Sequence, residues 1–491
     1  MEERLETLDP EDWQAYAREV HATLDRAIAL TASLGHDPVW RPVPAEIRAG
    51  FESGVPREPS SLADVLDETW ATVLSYPLGN RHPRYWMWYM GASCLTGALG
   101  DFLAAVDGSN LGGGNDAAVE VERQVLRWLK EIIGFPPDAG GTLTSGGTVA
   151  NLIGLTVARN RMAQGNIREN GLSSLKQPLR YYASDQVHAC HQKAIELLGL
   201  GNRALRRVPT RADCRMQTAA LRAAIAEDRA AGYSPACVIA TAGTVNTGAI
   251  DNLRELAGIC REEGLWFHVD GCIGALARLS ESHRGLLDGI ELADSVALDP
   301  HKMMHVPFEA GCVLVRDAAA QLQSFSLGSE YLESMQRGVS AGGWLFDYGI
   351  QTSRGFRALK IWLMLKEHGA NRFGRIITRN IDQARRIADR IDAEPRLHLL
   401  WPVTLDIVCF RFDPGGLETA ALTALNIEIM IRLQESGIAA FSDTTVHGEH
   451  GLRIAICNHR TTDEDLASAL DAVLELGERL CKERSVSEPA K

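Results

Sequence analysis

A lysine placed just after a predicted strand is the first residue of the chain that could do chemistry. Residues 295–298 are strand-like, and Lys302 follows them beside His301. Burial among apolar side chains and an imidazole could lower the pKa of this lysine and free its amine as a nucleophile. Such an amine can form a Schiff base, whereas an isolated lysine is more often a solvated surface group.

A carboxylate at the end of a second apolar run is the next candidate. Asp270 closes the run 265–270 and is followed by small residues. A buried carboxylate is costly unless it meets a cation, and a protonated pyridine nitrogen would supply one. The alternative is an aspartate that caps the next turn.

A segment of small and hydroxylated residues leads into a predicted helix. Ser145, Gly146, Gly147 and Thr148 lie at its start, where free backbone N–H groups and hydroxyls bind anions such as phosphate. The spacing matches neither the ATP-binding nor the dinucleotide-binding glycine motif, so neither ligand is implied. The segment on its own could equally be a capped helix start.

An imidazole after another short strand completes the set. His188 could stack on a flat heteroaromatic ring and hydrogen-bond a substrate carboxylate, although a single histidine is more often a plain loop or core residue. A phosphate site, a stacking ring, a carboxylate and a lysine are together what pyridoxal 5'-phosphate requires of a protein. Their combination favours this cofactor over the separate alternatives.

The elements that must position these side chains alternate between strand and helix. From about 142 to 315 this alternation predicts an α/β domain with a mostly parallel sheet. We expect a helical N-terminal arm over 1–94, a large α/β domain over 95–371 and a smaller α+β domain over 372–491. A helix over 253–261 is expected to be capped by Asp251.

Composition and charge exclude several classes of protein. The chain has 491 residues, 45% of them apolar, and its net charge of -13 is the wrong sign for nucleic acid. No apolar run approaches the roughly 18 to 20 residues that span a bilayer. The N-terminus is acidic where a secretory signal would be basic, and ten scattered cysteines form no C-x-x-C pair. We therefore expect a cytoplasmic protein whose cysteines are buried thiols.

Several patches along the chain resemble the group II pyridoxal-phosphate-dependent amino-acid decarboxylases, which act on aromatic amino acids, histidine or glutamate. The resemblance implies fold type I, with a mostly parallel seven-stranded large-domain sheet, and a homodimer with active sites at the subunit interface. The patches are Arg81 to Arg84, Thr144 to Asn151, Ala183 to His188, Ala242 to Thr244, His268 to Asp270, Asp299 to Lys302, Phe356 to Lys360 and Asn458 to Thr461.

The same resemblance assigns roles to residues. It implies that Lys302 forms the Schiff base, that Asp270 pairs with the pyridine nitrogen and that His188 stacks on the ring and takes part in catalysis. The reaction implied is decarboxylation of an L-amino acid to an amine. The cofactor-binding set is Ser145, Gly146, Gly147, Thr148, His188, Thr244, Asp270, His301 and Lys302.

The sequence departs from the family pattern at the proton donor. Counting back from Phe356 without a gap places Leu345 where the aromatic decarboxylases have a mobile-loop tyrosine. Tyr348, three residues later, is the nearest phenol, and His188 or water are the other candidate donors. Loss of the donor would favour oxidation to an aldehyde, as in the family's aldehyde synthases. Gly355 and Cys272 are milder departures.

The substrate is expected to carry an aromatic or large apolar side chain. By resemblance, Trp86, Trp88 and Tyr89 form the wall on the substrate side, which favours such a side chain over glutamate. The alternative is that these aromatic residues pack in a structural interface.

Two other functions compete with decarboxylation as interpretations of the sequence. An aminotransferase or lyase would share the fold, and a catalytically silent cofactor-binding protein is disfavoured by the intact lysine, aspartate and histidine. No metal site is expected from His188 with His191 or from His301 with His305, because neither pair has a matching Cys or carboxylate cluster. The run 112–115 is interpreted as a flexible turn near the active-site entrance.

Overall fold

A helical arm opens the chain in the computed structural model, which describes residues 6–327 and 335–487 apart from the side chains of 484–487. Arg26 joins its first and third helices, since its guanidinium is 2.9 Å from Asp67 and 4.4 Å from the ring centroid of Trp70. No residue of the three arm helices is fully buried. These helices are α1 (Trp13–Ala32), α2 (Ala45–Gly50) and α3 (Leu62–Thr72).

A seven-stranded sheet forms the centre of the large domain. Its order is β1-β7-β6-β5-β4-β2-β3, and only β7 runs antiparallel to its neighbours. The inner strands β5, β6 and β7 are buried throughout, as expected for a sheet with both faces covered. The strands are β1 (Gly140–Thr144), β2 (Leu179–Ser184), β3 (Leu205–Val208), β4 (Ser234–Thr241), β5 (Trp266–Asp270), β6 (Ser295–Leu298) and β7 (Gly311–Val315).

Helices cover this sheet and connect its parallel strands. The helix α6 follows β1 and packs along β7 and β6. No helix in the described ranges has both the length and the apolar composition needed to cross a membrane. The helices are α4 (Leu95–Asp107), α5 (Ala117–Ile133), α6 (Gly147–Met162), α7 (Ile167–Asn170), α8 (Cys190–Leu197), α9 (Thr218–Ala230), α10 (Leu253–Glu263), α11 (Ala318–Phe325) and α12 (Arg357–His368).

A smaller antiparallel sheet of order β10-β11-β9-β8 follows, packed against helices. Its long helix begins at Ala370, directly after Gly369, whose φ of +71° ends α12. The elements are α13 (Ala370–Ala393), β8 (Leu397–Leu399), β9 (Ile407–Phe412), α14 (Thr419–Glu435), β10 (Ser442–Val446), β11 (Glu449–Ala455) and α15 (Asp463–Ser487).

This architecture confirms the predicted fold class, a fold type I α/β protein with a mostly parallel seven-stranded sheet and a smaller α+β unit. The domain boundaries at 94 and 371 remain predictions. The predicted cap of α10 is wrong, because Asn252 accepts the N–H of Glu255. Asp251 is instead buried, where its carboxylate accepts the N–H groups of Met216 and Thr241 at 2.7 and 2.8 Å.

The end of the arm region is extended chain that joins the small domain. Trp86 donates its backbone N–H to Ala440 O and accepts the N–H of Ala455. Its side chain is 1% exposed, packs with Phe441 and donates Nε1–H to Thr461 Oγ1 at 3.0 Å. The prediction that Trp86 lines the substrate wall is therefore wrong, because this ring is part of the small-domain core.

Replacing Trp86 tests its structural role. Trp86→Ala is expected to lower the free energy of unfolding by about 3–5 kcal/mol, because it leaves a large cavity. Trp86→Phe keeps one aromatic ring but loses the hydrogen bond to Thr461 and part of the buried volume, so we expect a smaller loss of about 1–3 kcal/mol. Denaturant unfolding followed by circular dichroism measures both. Unchanged stability together with an altered substrate preference would contradict the structural role and support contact of Trp86 with the substrate.

Candidate active site

A cavity of about 760 Å³ lies where the parallel strands of the large domain end. This edge of an α/β sheet is the usual place for a ligand, because loops after neighbouring strands meet there. The cavity brings together most of the residues predicted from the sequence. Those lining it are Trp88, Tyr89, Ser145, Gly146, Gly147, Thr148, His188, Asp270, His301 and Lys302.

Lys302 lies in the turn after β6, four residues beyond Leu298. Its Nζ is 3.0 Å from Asp299 Oδ2. Burial alone would lower the pKa of Lys302, but Asp299, Cys272 and Asp270 together outweigh burial and raise this pKa above its ordinary value. The expectation of a lowered lysine pKa is therefore wrong for the protein alone, because a buried carboxylate holds the amine protonated.

Asp270 ends β5 and is buried, as its position in the sequence predicts. Its Oδ1 accepts the N–H of Cys272 at 3.2 Å, and its Oδ2 is 2.8 Å from Nε2 of His191. Burial alone would raise the pKa of Asp270, but the hydrogen bond and charge of His191 hold it well below its usual range. The site therefore contains a fixed negative charge that can pair with a cation.

The start of α6 also lines the cavity. Thr144 ends β1, and its hydroxyl accepts the N–H of Gly146 at 3.3 Å. A Cβ at Gly147 would contact Cys272 Sγ and lie 2.9 Å from Asp299 Oδ2. Only a glycine at this position avoids contact with these two side chains. The N–H groups of the first turn of α6 can bind an anion there.

Two histidines, His188 and His301, line the same cavity as Lys302. The backbone N–H of Cys190 donates to Nδ1 of His188 at 3.2 Å, so the neutral ring carries its proton on Nε2. His301 is buried, and its Nδ1 is 2.8 Å from the carbonyl oxygen of Ala310. Both rings are held by backbone groups and line the cavity.

Thr244 is not brought to the cavity. Its hydroxyl lies 2.9 Å from Thr247 Oγ1 and accepts the N–H of Ala249, within its own turn. The hydroxyl of Thr244 is therefore engaged within its own turn, and the role of Thr244 in binding the cofactor stays a prediction. Thr241, at the end of β4, lines the cavity instead, and its buried hydroxyl has no hydrogen-bond partner among the described residues.

Tyr348, the candidate proton donor, does not line the cavity. Tyr348 belongs to a 3-10 turn over Leu345–Tyr348 that packs against α11 and β1, and its carbonyl accepts the side-chain N–H of Gln321 at 2.7 Å. Leu345, at the position of the family tyrosine, is buried. The backbone N–H of Phe346 donates to Gly112 O, so the predicted flexible turn at 112–115 is a packed contact.

His191 and Cys190 are further functional candidates; the sequence analysis considered His191 only as a metal ligand and did not consider Cys190. Both are buried at the start of α8, and the possible ligand atoms of Cys190, His191 and Asp270 all lie within 4.8 Å of one another. The spacing of His191 from His188 gave no signal, because its partner Asp270 is distant in the sequence. Only the packing of α8 against β5 makes the contact.

These residues fit a phosphorylated pyridine aldehyde. An amine, a buried carboxylate and a helix start line one cavity, and Thr241 Oγ1 and Asp299 Oδ1 are buried polar atoms with no protein partner in the described ranges. An α/β fold with this set of groups defines a pyridoxal-phosphate-dependent enzyme of fold type I.

Comparisons with known proteins narrow this class. Residues 44–413 match the model of the pyridoxal-dependent decarboxylase conserved domain, and the chain belongs to this family. It is 33% identical to an aromatic-L-amino-acid decarboxylase of Bacillus atrophaeus, over 94% of this chain and 95% of that protein. The chain is thus a pyridoxal-phosphate-dependent amino-acid decarboxylase, a carboxy-lyase.

Other relatives extend the comparison. A phenylacetaldehyde synthase of Petunia hybrida is 27% identical, over 91% of each chain. The crystal structure of Oryza sativa TDC with PLP and tryptamine superimposes with a TM-score of 0.88 at 24% identity, covering 96% of this chain and all of that one. At this identity the structural match supports the fold alone.

Closing the approach at Gly147 tests the phosphate end of the cavity. Gly147→Ala is expected to raise the dissociation constant of pyridoxal 5'-phosphate at least about tenfold, because its Cβ meets Cys272 and Asp299. Gly258→Ala is the matched control, since nothing lies within 4 Å of its Cβ. Absorbance titration of the cofactor-free protein measures both. Equal dissociation constants for the two variants would place the phosphate elsewhere.

Proposed function

We propose that the substrate of this decarboxylase is an L-amino acid with an aromatic or large apolar side chain, and that Lys302, Asp270 and His188 carry the reaction. The supporting observation is one cavity that is lined both by these three residues and by bulky apolar side chains. The products would be the corresponding amine and CO2.

Each polar residue has a separate task in this proposal. Bound pyridoxal 5'-phosphate would supply the electron sink for the pair of electrons that stays on the substrate when CO2 leaves. Lys302 would hold the cofactor through its amine, and Asp270 would keep the ring nitrogen protonated. The first turn of α6, with Ser145 and Thr148, would bind the phosphate, and His188 would lie on the face of the ring.

The cavity wall favours an apolar side chain. Five bulky side chains contribute to it: Trp88, Val149, Val245, Ile273 and Phe308. Trp88 is half exposed and adopts a φ of +52°, which turns it away from the core that holds Trp86. Tyr89 lines the cavity and donates its hydroxyl to Asp406 at 2.9 Å, so its ring edge is fixed.

The described residues of this wall offer no unpaired lysine or arginine to an acidic substrate side chain. Lys302 is the sole lysine or arginine among the described residues that line the cavity. The buried Arg453 lies nearby, but its guanidinium already donates to the carbonyl oxygens of Trp88, Val245 and Asn246. Glutamate would therefore leave a buried carboxylate unpaired, which is costly.

An oxygen-dependent reaction that gives an aldehyde is the second candidate function. Leu345 is buried at the position of the family tyrosine, and Tyr348 does not line the cavity of its own chain. His188 and water remain as proton donors within one subunit, and a loop from a partner subunit could bring Tyr348. Relatives named as aldehyde synthases are consistent with this outcome.

Product analysis separates the two functions. We expect purified protein with pyridoxal 5'-phosphate and the twenty L-amino acids in air to form an amine from an aromatic substrate. Lys302→Ala should lose turnover and the visible absorbance of the bound cofactor, whereas Lys366→Ala should keep both. Mass spectrometry with a peroxide assay is the measurement. Aldehyde with equivalent peroxide would establish the second function, and conversion of glutamate alone would contradict the proposed substrate class.

We further propose that the chain works as a homodimer in the cytoplasm. One face of α4 packs on α12 through Gly97 and Gly100, and its other face exposes five apolar side chains: Leu95, Leu99, Phe102, Leu103 and Val106. An apolar face of this kind favours a partner subunit. Eight of the ten cysteines are buried thiols, and none of the ten forms a disulfide, which suits a reducing compartment.

A charge on α4 tests the dimer. Phe102→Glu is expected to shift the protein to monomer, because it would bury an unpaired carboxylate between two apolar faces. Leu417→Glu, at another partly exposed leucine, should leave the mass unchanged. Sedimentation velocity measures both. A Phe102→Glu variant with the same sedimentation coefficient as the parent would remove α4 from the interface.

A further inference from the structure

The carboxylate of Asp270 contacts a histidine side chain that the reaction does not require for its chemistry. His191 is fully buried, and its Nε2 lies 2.8 Å from Asp270 Oδ2. The backbone N–H of Cys272 holds the other oxygen at 3.2 Å. With both oxygens held from the protein side, the plane of the carboxylate is fixed before any ligand binds.

The imidazole of His191 is itself held in place. It lies in the first turn of α8, where its backbone N–H donates to His188 O. Cys190, the preceding residue, has its sulfur 3.7 Å from Nδ2 of Asn151 on α6. Nδ1 of His191 has no hydrogen-bond partner within the described ranges, so Nε2 makes the directed contact.

A second buried histidine, His268, extends this set of contacts to α6 and β6. His268 lies 2.7 Å from Ser295 Oγ and 2.7 Å from Asn151 Oδ1, and its ring centroid is 6.1 Å from that of His191. Four elements, α6, α8, β5 and β6, thus join through side chains next to Asp270. Such a network reduces the freedom of the carboxylate that it surrounds.

We propose that His191 is a positioning residue, which holds the Asp270 carboxylate by donating Nε2–H to Oδ2 in the orientation that meets the ring nitrogen of the cofactor. This inference rests on the proposed pairing of Asp270 with that nitrogen. Outer partners of this kind orient the groups that contact a cofactor, and their loss weakens binding although they never touch it.

A purely structural role for His191 is the alternative. The chain contains a matched pair away from the cavity, in which His283 Nε2 lies 3.0 Å from Asp382 Oδ1. The ring of His283 is buried, as that of His191 is. Removing His283 should affect folding stability alone, so it shows what the loss of a buried histidine does without any effect on the cofactor.

Two substitutions at His191 separate a hydrogen bond from packing. His191→Leu fills the space without a donor, and His191→Gln places an amide N–H near the position of Nε2. We expect His191→Leu to raise the dissociation constant of pyridoxal 5'-phosphate about tenfold and His191→Gln to stay within about twofold of the parent. Absorbance titration of cofactor-free protein measures both, and the visible absorbance of the bound cofactor across pH is the spectroscopic readout.

The outcomes are distinguishable. His283→Leu should lower the Tm and leave the dissociation constant unchanged. Parental affinity in His191→Leu, or equal losses in the leucine and glutamine variants, would overturn the inference. Should the leucine variant not fold, His191→Asn, whose shorter amide does not reach Oδ2, replaces it.

The Asp270→Asn variant shows whether a negative result concerns His191 alone or the pairing of Asp270 with the cofactor. If it weakens cofactor binding and His191→Leu does not, only the role of His191 is lost. If Asp270→Asn leaves both affinity and absorbance unchanged, the proposed pairing of Asp270 fails, and the inference fails with it.

Discussion

The structure of the site depends on a buried negative charge at the end of its central sheet. A carboxylate taken from water into the core costs several kcal/mol unless charges and donors surround it. Asp270 is matched by His191 and by the N–H of Cys272, so its charge persists where an apolar surrounding alone would protonate it. One residue of α8 and one residue of the loop that follows β5 thus stabilise this charge.

The parallel pairing of β5 with β6 brings the lysine to the same place. His268 is in register with Ser295 and Asp270 with Ala297, so the loops that follow these strands leave the sheet side by side. Lys302 and Asp299 lie in one loop and Asp270 ends the neighbouring strand. The start of α6 comes from β1 across β7, so residues far apart in sequence share one cavity.

The extended segment that precedes α4 connects the small domain to the cavity. Within this segment Trp86 packs into the small-domain core, whereas Trp88 lines the cavity. Arg453 of β11 holds the carbonyl oxygens of Trp88 and Val245, and Asp406 holds the hydroxyl of Tyr89. The two domains therefore share the wall that would select the substrate.

The amino-acid sequence by itself determined the fold class, the cofactor and the candidate identities of Lys302, Asp270 and the α6 phosphate segment. These predictions depend on local patterns, because periodicity, glycine spacing and strand ends are encoded by neighbouring residues. Tertiary structure decided what depends on distant contacts: the pairing of His191 with Asp270, the burial of Trp86, the turn that occupies the Thr244 hydroxyl, and the raised pKa of Lys302 beside Asp299. Side-chain direction and the charge of a buried neighbour are set by packing, and packing is not readable from residue spacing.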